Sequence, residues 1–254
     1  MSSKEIIACK DADDVARHAA ERFAGNARQA ISRDGRFVVA LSGGDTPRLM
    51  NRYLVERYRN SLDWSRIFLF WGDERAVPPD HSDNNYRMAC ETLIDHVPIP
   101  PSNVIRVRAE LPPAEAAELY EKELRDFFRQ EKHSERVADQ NKFPAFDLIL
   151  LGMGNDGHTA SLFPGTPALS EKKRWVVENP VRVLNTERIT FTVPLINQAR
   201  EVIFLVSGTA KAPALKRVLE GPSDPNSCPS QLIEPQGRVV WLVDEAAAAL
   251  LSKK

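Results

Sequence analysis

The sequence predicts an α/β fold: a mainly parallel, Rossmann-like open sheet with helices on both faces, in a single domain spanning residues 1–254. Short apolar runs of strand length alternate along the chain with segments whose apolar residues recur at helical spacing. The 254 residues, 43% of them hydrophobic, suffice for one sizeable core. No internal repeat is visible and no linker separates two cores, which is why one domain is predicted.

Apolar runs that are short and mostly rich in valine, isoleucine, leucine or phenylalanine are predicted to be strands. In chain order they are Arg36–Leu41, Arg66–Phe70, Asn103–Val107, Phe146–Leu151, Ile189–Val193, Glu201–Val206 and Arg238–Val243.

Two longer segments are predicted to be helices. Apolar residues recur every three or four positions in Ala12–Ser32, which precedes the first predicted strand, and in Pro113–Lys132, which begins with a proline suited to a helix start. Two other segments are predicted to be irregular. The polar segment Lys132–Lys142 has the composition of a surface loop, and Pro222–Pro235 holds four prolines.

The charge balance and the cysteines narrow the classes of function. Acidic residues number 35 and basic residues 34, without the basic excess typical of nucleic-acid or membrane-surface binding. Cys9, Cys90 and Cys228 are widely spaced, so neither a disulfide framework nor a metal knuckle is predicted. The first residues lack the apolar core of a signal peptide, and no apolar run approaches the roughly 20 residues of a spanning helix. We therefore expect a cytoplasmic protein.

The segment Gly152–Gly165, which follows a strand-like apolar run, is the most informative part of the chain. Three glycines fall within six residues and flank the triplet Asp156-Gly157-His158. Glycine allows positive φ and a close approach of backbone to ligand, and strand ends of open α/β sheets are where small molecules bind. His158, two residues from the carboxylate of Asp156, is therefore a candidate general base.

Another predicted strand end carries features of an anion site. The first predicted strand runs into Ser42–Pro47, in which Gly43 and Gly44 stand just before a helix. Free backbone N–H groups and the positive end of the helix dipole favour a phosphate there. The alternative is an ordinary turn with Thr46 or Asp45 as the helix cap.

Two more strand ends carry cations. Arg75 suits bidentate binding of a phosphate, and Asp73 could orient a base or a substrate hydroxyl. A surface turn with a local Glu–Arg pair is the alternative. Lys211 is predicted in the first turn of a helix, where the dipole opposes a cation unless an anion is bound; a solvated lysine is the alternative.

Taken together, these strand ends predict a pocket for a phosphorylated small molecule whose reacting end lies near His158. No nucleotide-hydrolysing Gly-x-x-x-x-Gly-Lys-[Ser/Thr] loop is present. No cofactor and no metal are predicted, because the remaining histidines lack ligand spacing. These histidines are His18, His81, His96 and His133.

The same segments resemble the signature of the 6-phosphogluconolactonases. The long match is Gly152–Gly165; shorter ones are Ser42–Pro47, Trp71–Arg75, Arg188–Pro194, Gly208–Ala212 and Trp241–Asp244. The resemblance implies hydrolysis of 6-phospho-D-glucono-1,5-lactone, the second step of the oxidative pentose phosphate pathway, with His158 as general base and functional coupling to glucose-6-phosphate dehydrogenase. It also implies contacts with the substrate or its phosphate from Ser42, Gly43, Gly44, Thr46, Asp73, Arg75, Asn85, Arg188 and Lys211.

The chain departs from the family pattern at two places. Asn84 stands where such families often have serine, which bears on a substrate hydroxyl contact, although Asn85 remains available. Ser230 stands where alanine is usual. Ser161, on the His158 loop, is predicted to be structural or a helix cap and not a covalent nucleophile.

Two alternative functions stay open. Glucosamine-6-phosphate deaminases share the Asp-Gly-His triplet but carry a catalytic glutamate where this chain has Phe163. A non-catalytic sugar-phosphate sensor would usually carry a DNA-binding helix-turn-helix, for which we expect no room, because only one helix is predicted before the first strand.

Overall fold

The computed structural model describes residues 3–129 and 143–252 and contains two sheets. With strands numbered in chain order, the six-stranded parallel sheet has the order β1 (Ser3–Cys9), β9 (Arg238–Asp244), β8 (Glu201–Val206), β5 (Leu148–Gly152), β2 (Phe37–Leu41) and β3 (Ile67–Trp71). The second sheet is antiparallel and has the order β4 (Asp73–Arg75), β7 (Thr186–Phe191) and β6 (Val176–Val181).

Helices flank the parallel sheet, as predicted. They are α1 (Ala12–Asp34), α2 (Asp45–Tyr53), α3 (Asn85–Thr92), α4 (Pro113–Arg129), α5 (Val193–Ile196), α6 (Ala212–Glu220) and α7 (Glu245–Ala248). The prediction of an α/β fold with a mainly parallel sheet is confirmed, because every pairing in the larger sheet is parallel.

Three predictions about individual elements are wrong. Asn103–Val107 is not a strand: the prolines at 100 and 101 lead into a turn, and only Val104 bridges to Leu69 of β3. The predicted strand Ile189–Val193 is β7, which lies in the antiparallel sheet and stops at Phe191, because a proline at 194 starts helix α5. A strand, β1, precedes the first helix.

The three strands that were not predicted lack a clear apolar signal. β1 lies at the sheet edge and begins Ser-Lys-Glu, β4 reads Asp-Glu-Arg, and β6 contains Asn-Pro. The predicted loop Lys132–Lys142 lies outside the described residues. Pro222–Pro235 is irregular apart from one short turn, Pro229–Leu232. No helix in the described part of the chain combines the length and apolarity needed to cross a membrane.

The two sheets meet at Gly72, which alone separates β3 from β4. Its N–H donates to the Leu41 carbonyl of β2 at 3.0 Å, and its carbonyl accepts from Phe191 of β7 at 2.8 Å. Helix α4 packs against this junction: the Tyr120 hydroxyl accepts from the Trp71 N–H at 2.8 Å and lies 3.1 Å from the Trp71 carbonyl. The end of β3 is therefore fixed on both sides, which positions the segment that follows.

Candidate active site

The predicted site segments lie at the carboxyl ends of neighbouring strands. Ser42–Thr46 follows β2, residues 153–165 follow β5, and Ser207–Lys211 follows β8. β4 begins one residue beyond the end of β3. Because β8, β5, β2 and β3 are adjacent in the sheet, these segments share one edge of it, which is where open parallel sheets bind ligands.

His158 forms a pair with Asp156. The imidazole Nδ1 lies 2.7 Å from Asp156 Oδ1, and the His158 N–H donates to the same oxygen at 3.0 Å. Burial opposes the charged form of Asp156, but the hydrogen bonds from His158 outweigh it and lower the pKa of Asp156 to about 2. The imidazole stacks on Phe163 with ring centroids 4.0 Å apart. Its Nε2 makes no hydrogen bond within the described residues.

The loop carrying this pair is closed by its own backbone and by Ser230. Gly157 has a φ of +89°, and its carbonyl accepts from the Ser230 N–H at 2.9 Å and the Ser230 hydroxyl at 2.8 Å. The serine at this departure from the family pattern therefore adds a hydrogen bond next to His158. A Cβ on Gly154 would lie 2.1 Å from His158 Nδ1, so glycine is needed where the imidazole lies over the backbone.

Asp73 connects the His158 loop to the antiparallel sheet. Its Oδ2 accepts from the Ser161 hydroxyl at 2.6 Å, and the Ser161 N–H donates to Thr190 Oγ1 of β7 at 3.2 Å. Both Asp73 and Ser161 are buried. The Ser161 hydroxyl bonds a carboxylate and not a histidine, unlike an activated serine nucleophile. Within the described residues, Asp73 makes no hydrogen bond with His158.

Arg75 and Arg188 face each other across the pairing of β4 with β7. Arg75 Nη1 donates to the Asp83 carbonyl at 2.9 Å, whereas the buried Nε of Arg188 has no partner in residues 3–129 or 143–252. Burial, and then the Arg75 guanidinium, lowers the pKa of Arg188. Like charges directly opposite each other destabilise a strand pair, so the free protein carries a repulsion between the two guanidiniums.

Lys211 lies close enough to Asp156 that the carboxylate affects the pKa of the Lys211 ammonium. Burial lowers the pKa of Lys211, and Asp156 opposes that shift. The ammonium makes no hydrogen bond or ion pair with the described part of the chain. The turn before Lys211 is held by buried Asp244, whose carboxylate accepts from the Gly208 N–H at 2.9 Å.

The turn between β2 and α2 offers neutral donors. Gly44, the N-cap of α2, has a φ of +111°, which favours glycine. The Ser42 hydroxyl is buried and lacks a hydrogen-bond partner among the described residues. Thr46 Oγ1 lies 2.8 Å from Ser207 Oγ, which joins this turn to the one that carries Lys211.

Asn85 packs against the same turn. A Cβ on Gly43 would lie 1.8 Å from Asn85 Oδ1, so the amide packs directly on the glycine backbone. The Asn85 Nδ2 donates to the Asp73 carbonyl at 3.0 Å. The neighbouring Asn84 is 2% exposed and caps α3, because its Oδ1 accepts from the Arg87 N–H at 2.8 Å. Asparagine and serine are equally good caps, so this departure from the family pattern preserves the start of α3.

Sequence reasoning missed Glu74, which lies between two predicted site residues. Side chains alternate along a strand, so if Asp73 and Arg75 face one side, the residue between them faces the other. Glu74 is fully buried and accepts three backbone N–H groups. Alternation was the signal that could have identified it.

One group of three possible metal ligands lies elsewhere in the part of the chain that the structure describes: Cys9, Asp14 and His18, within 4.8 Å of one another. His18 Nδ1 is 2.9 Å from the Asp14 carbonyl, and the Arg17 guanidinium approaches it to 3.4 Å. Burial raises the pKa of the Cys9 thiol to about 11, which disfavours the thiolate that a metal needs. This cluster is therefore poorly suited to a cation.

Comparisons with known proteins agree on one family. Residues 10–241 match the family model described as glucosamine-6-phosphate isomerases/6-phosphogluconolactonase. A 6-phosphogluconolactonase from Synechocystis sp. is 45% identical over 223 residues, which cover 86% of each chain.

Solved structures extend the similarity to the whole fold. A 6-phosphogluconolactonase from Trypanosoma cruzi matches with a TM-score of 0.85 at 28% identity, covering 100% of this chain and 99% of that one. A monomeric glucosamine-6-phosphate deaminase matches with a TM-score of 0.78 at 21% identity, covering 97% of this chain and 99% of that one, a likeness of fold alone. The family predicted from the sequence motifs is confirmed. The chain belongs to the glucosamine-6-phosphate isomerase/6-phosphogluconolactonase family.

Proposed function

We propose that this chain hydrolyses 6-phospho-D-glucono-1,5-lactone to 6-phospho-D-gluconate, with His158 as the general base for water attack. The observation that carries the proposal is the His158–Asp156 pair at a sheet edge that also holds Arg75, Arg188 and Lys211. The names of the relatives at 45% and 28% identity support the same activity.

The proposed mechanism depends on the tautomer of His158. The ionised carboxylate of Asp156 accepts the proton on Nδ1, which leaves the lone pair on Nε2. A water oxygen bonds to the lactone carbonyl carbon while one water proton passes to Nε2. The bond from that carbon to the ring oxygen then breaks, the carbonyl re-forms, and Nε2 returns the proton to the ring oxygen.

The cations have two tasks in this proposal. The substrate carries a phosphate of charge near −2, and the tetrahedral intermediate carries a further negative charge on its oxygen. Arg75, Arg188 and the turn before α2 are proposed to contact the substrate and its phosphate. Lys211, beside Asp156, lies on the His158 side. Its unpaired ammonium suits either the phosphate or the oxyanion.

Phe163 argues against the deaminase alternative. It is 5% exposed and its ring stacks on His158, so no proton-carrying side chain occupies the position where deaminases use a glutamate. The sensor alternative predicts binding of 6-phosphogluconate without any acceleration of lactone opening. Release of ammonia from glucosamine 6-phosphate by the purified protein would favour the deaminase.

The test is the decay of freshly generated 6-phosphogluconolactone with and without the protein. His158→Asn is expected to lower kcat/KM by about 10²–10⁴-fold, because it removes the proposed base and keeps a polar, uncharged side chain. His96→Asn is the matched control, because the His96 imidazole contacts the Glu91 carbonyl outside the site, and its kcat/KM is expected to be unchanged. Activity of His158→Asn close to that of the unmodified protein would contradict the assignment of the base.

The proposed reaction consumes a lactone made by oxidation of a sugar phosphate. We propose functional coupling to a glucose-6-phosphate dehydrogenase in the cytoplasm, because the lactone is the direct product of that oxidation. Flux through the coupled pair should rise on addition of this protein when the dehydrogenase alone accumulates lactone.

A further inference from the structure

Glu74 is a fully buried carboxylate at the candidate site that the proposed mechanism does not use. Its Oε1 accepts from the Arg75 N–H at 2.9 Å and the Asn85 N–H at 2.7 Å. Its Oε2 accepts from the Tyr86 N–H at 2.9 Å. The two α3 amides belong to the first turn of that helix, where N–H groups have no partner within the helix. The carboxylate therefore joins the start of α3 to strand β4.

The groups that Glu74 holds are the ones proposed to touch the substrate. The N–H bond to Glu74 fixes the backbone of Asn85. The Asn85 side chain then reaches from the Asp73 carbonyl to the backbone of Gly43. Arg75 is held through its own N–H. Loss of the Glu74 bonds would therefore loosen both the contact of Asn85 with the turn between β2 and α2 and the position of the Arg75 guanidinium.

Charged and titratable groups near Glu74 lie on both strands of the β4–β7 pair and on helix α4, and helix α3 adds Tyr86, whose N–H bonds the carboxylate. They are Asp73 and Arg75 on β4, Arg188 on β7 and Tyr120 on α4. Burial, with a smaller contribution from Asp73, raises the pKa of Glu74 to about 7, against the three N–H bonds that favour its charged form.

We propose that Glu74 is a positioning residue whose carboxylate fixes the start of helix α3, and with it Asn85 and Arg75, in the geometry that binds the phosphorylated substrate. The inference rests on the proposed function. It assigns to Glu74 an effect on substrate affinity that acts through its neighbours and not through contact with the substrate.

Protonation of Glu74 has a defined structural consequence. Oε2 accepts one N–H and Oε1 accepts two, so a proton is best placed on Oε2. The protonated oxygen is neutral and a weaker acceptor, so its bond from the Tyr86 N–H in the first turn of α3 weakens. Substrate affinity therefore falls as the pH drops through about 7.

Glu74→Gln tests the proposal, because the amide has the shape of the protonated acid at every pH. At pH 8 we expect the KM for the lactone to rise about tenfold, the equivalent of one charged hydrogen bond, with kcat changed less than twofold. At pH 6 the KM values of the variant and the unmodified protein should converge. The substrate phosphate titrates near pH 6. The two proteins are therefore compared at each pH, so that this contribution cancels.

Glu121→Gln is the matched control. Glu121 is a buried glutamate on α4 that also accepts backbone N–H groups, from Trp175 and Val176, and has no part in the site. We expect its variant to lose stability without a change in KM. An equal rise of KM in both variants would overturn the proposal, and so would a Glu74→Gln effect confined to kcat.

Amide hydrogen exchange at Tyr86 separates this proposal from the proposed function. After correction for intrinsic exchange, the Tyr86 amide should be protected at pH 8 and less protected at pH 6, even in the unmodified protein. Glu74→Gln should lack that protection at both values. Unchanged protection would overturn the role of Glu74. Failure of the unmodified protein to open the lactone would instead overturn the proposed function alone.

Discussion

Gly154 lies directly beneath the His158–Asp156 pair. A Cβ at this position would meet His158 Nδ1 at 2.1 Å and Asp156 Oδ1 at 2.5 Å, whereas a Cβ on Gly152 would meet nothing within 4 Å. The side chains of His158 and Asp156 therefore lie against bare backbone. A methyl group at Gly154 must therefore displace these two side chains or shift the loop backbone.

Gly154→Ala is expected to lower kcat/KM for the lactone by about 10²-fold, the cost of moving a catalytic group by about 1 Å. Gly152→Ala is the matched control and should stay within twofold. The kinetics of both variants, with circular dichroism to check folding, measure the difference. Equal activity of the two variants would show that the position of His158 does not matter.

Single residues at this site were predictable where their chemistry was unusual for their place in the chain. Glycines, a histidine and cations directly after buried strands stand out in the sequence. Glu74 did not, because burial between two site residues is a property of the folded strand. Nor could sequence show that Asp73 bonds Ser161, a contact between residues far apart in the chain.

At the scale of elements, the pairing of β4 with β7 brings two guanidiniums together. Cross-strand like charges cost a few tenths to about 1 kcal/mol, and a bound anion removes that cost. The proposed contact of these two residues with the substrate phosphate would therefore relieve a repulsion that the free protein carries.

Arg188→Gln should stabilise the free protein and weaken its binding of the substrate. The free protein is expected to gain a few tenths of a kcal/mol in stability, because the repulsion with Arg75 is relieved, while KM for the lactone rises. Inorganic phosphate should raise the Tm of the unmodified protein and raise that of the variant less. Thermal unfolding with and without phosphate measures this. Arg182 is an exposed arginine between β6 and β7. The Tm of Arg182→Gln should respond to phosphate as that of the unmodified protein does. An equal phosphate response in Arg188→Gln would contradict the anion site.

Elements with a simple apolar pattern were predictable, and those without one were not. Strands β2, β3, β5, β8 and β9 are buried apolar runs near their predicted bounds. In the antiparallel sheet β7 was predicted as a strand, whereas β4 was missed because it is short and charged, and β6 because it contains a proline. Asn103–Val107 has a strand-like sequence, but only one of its residues bridges to a neighbouring strand.

At the scale of the whole molecule, Glu74 links stability to pH. Its pKa rises from 4.5 in the unfolded chain to about 7 in the fold, so the stabilisation is complete below pH 4.5 and is lost as the pH rises through 7. Stability of the unmodified protein should therefore fall between pH 5 and pH 8 by on the order of 1–3 kcal/mol from this group.

Denaturant unfolding of Glu74→Gln and the unmodified protein between pH 5 and pH 8 measures how the free energy of unfolding changes with pH. The variant should lack this part of the pH slope and should be at least as stable as the unmodified protein at pH 8. If the variant is as stable as the unmodified protein at pH 8 but binds the lactone more weakly, the ionised carboxylate of Glu74 lowers stability and strengthens substrate binding. A parallel pH slope in the two proteins would assign the linkage to other groups.

The pairing of β1 with β9 has a consequence for how the protein is made. Ile6 and its neighbours in β1 pair with β9 alone, from Ser3 opposite Arg238 to Cys9 opposite Asp244. A ribosome releases β1 first, and its partner strand only after residue 238 has been added. While the residues between β1 and β9 are being made, the Ile-Ile-Ala segment of β1 therefore lacks its native partner, a state in which unpaired strands invite aggregation. Asp244, whose carboxylate holds the Lys211 turn, is the last residue of β9, so the strand that pairs with β1 and the acceptor that holds this turn are made together.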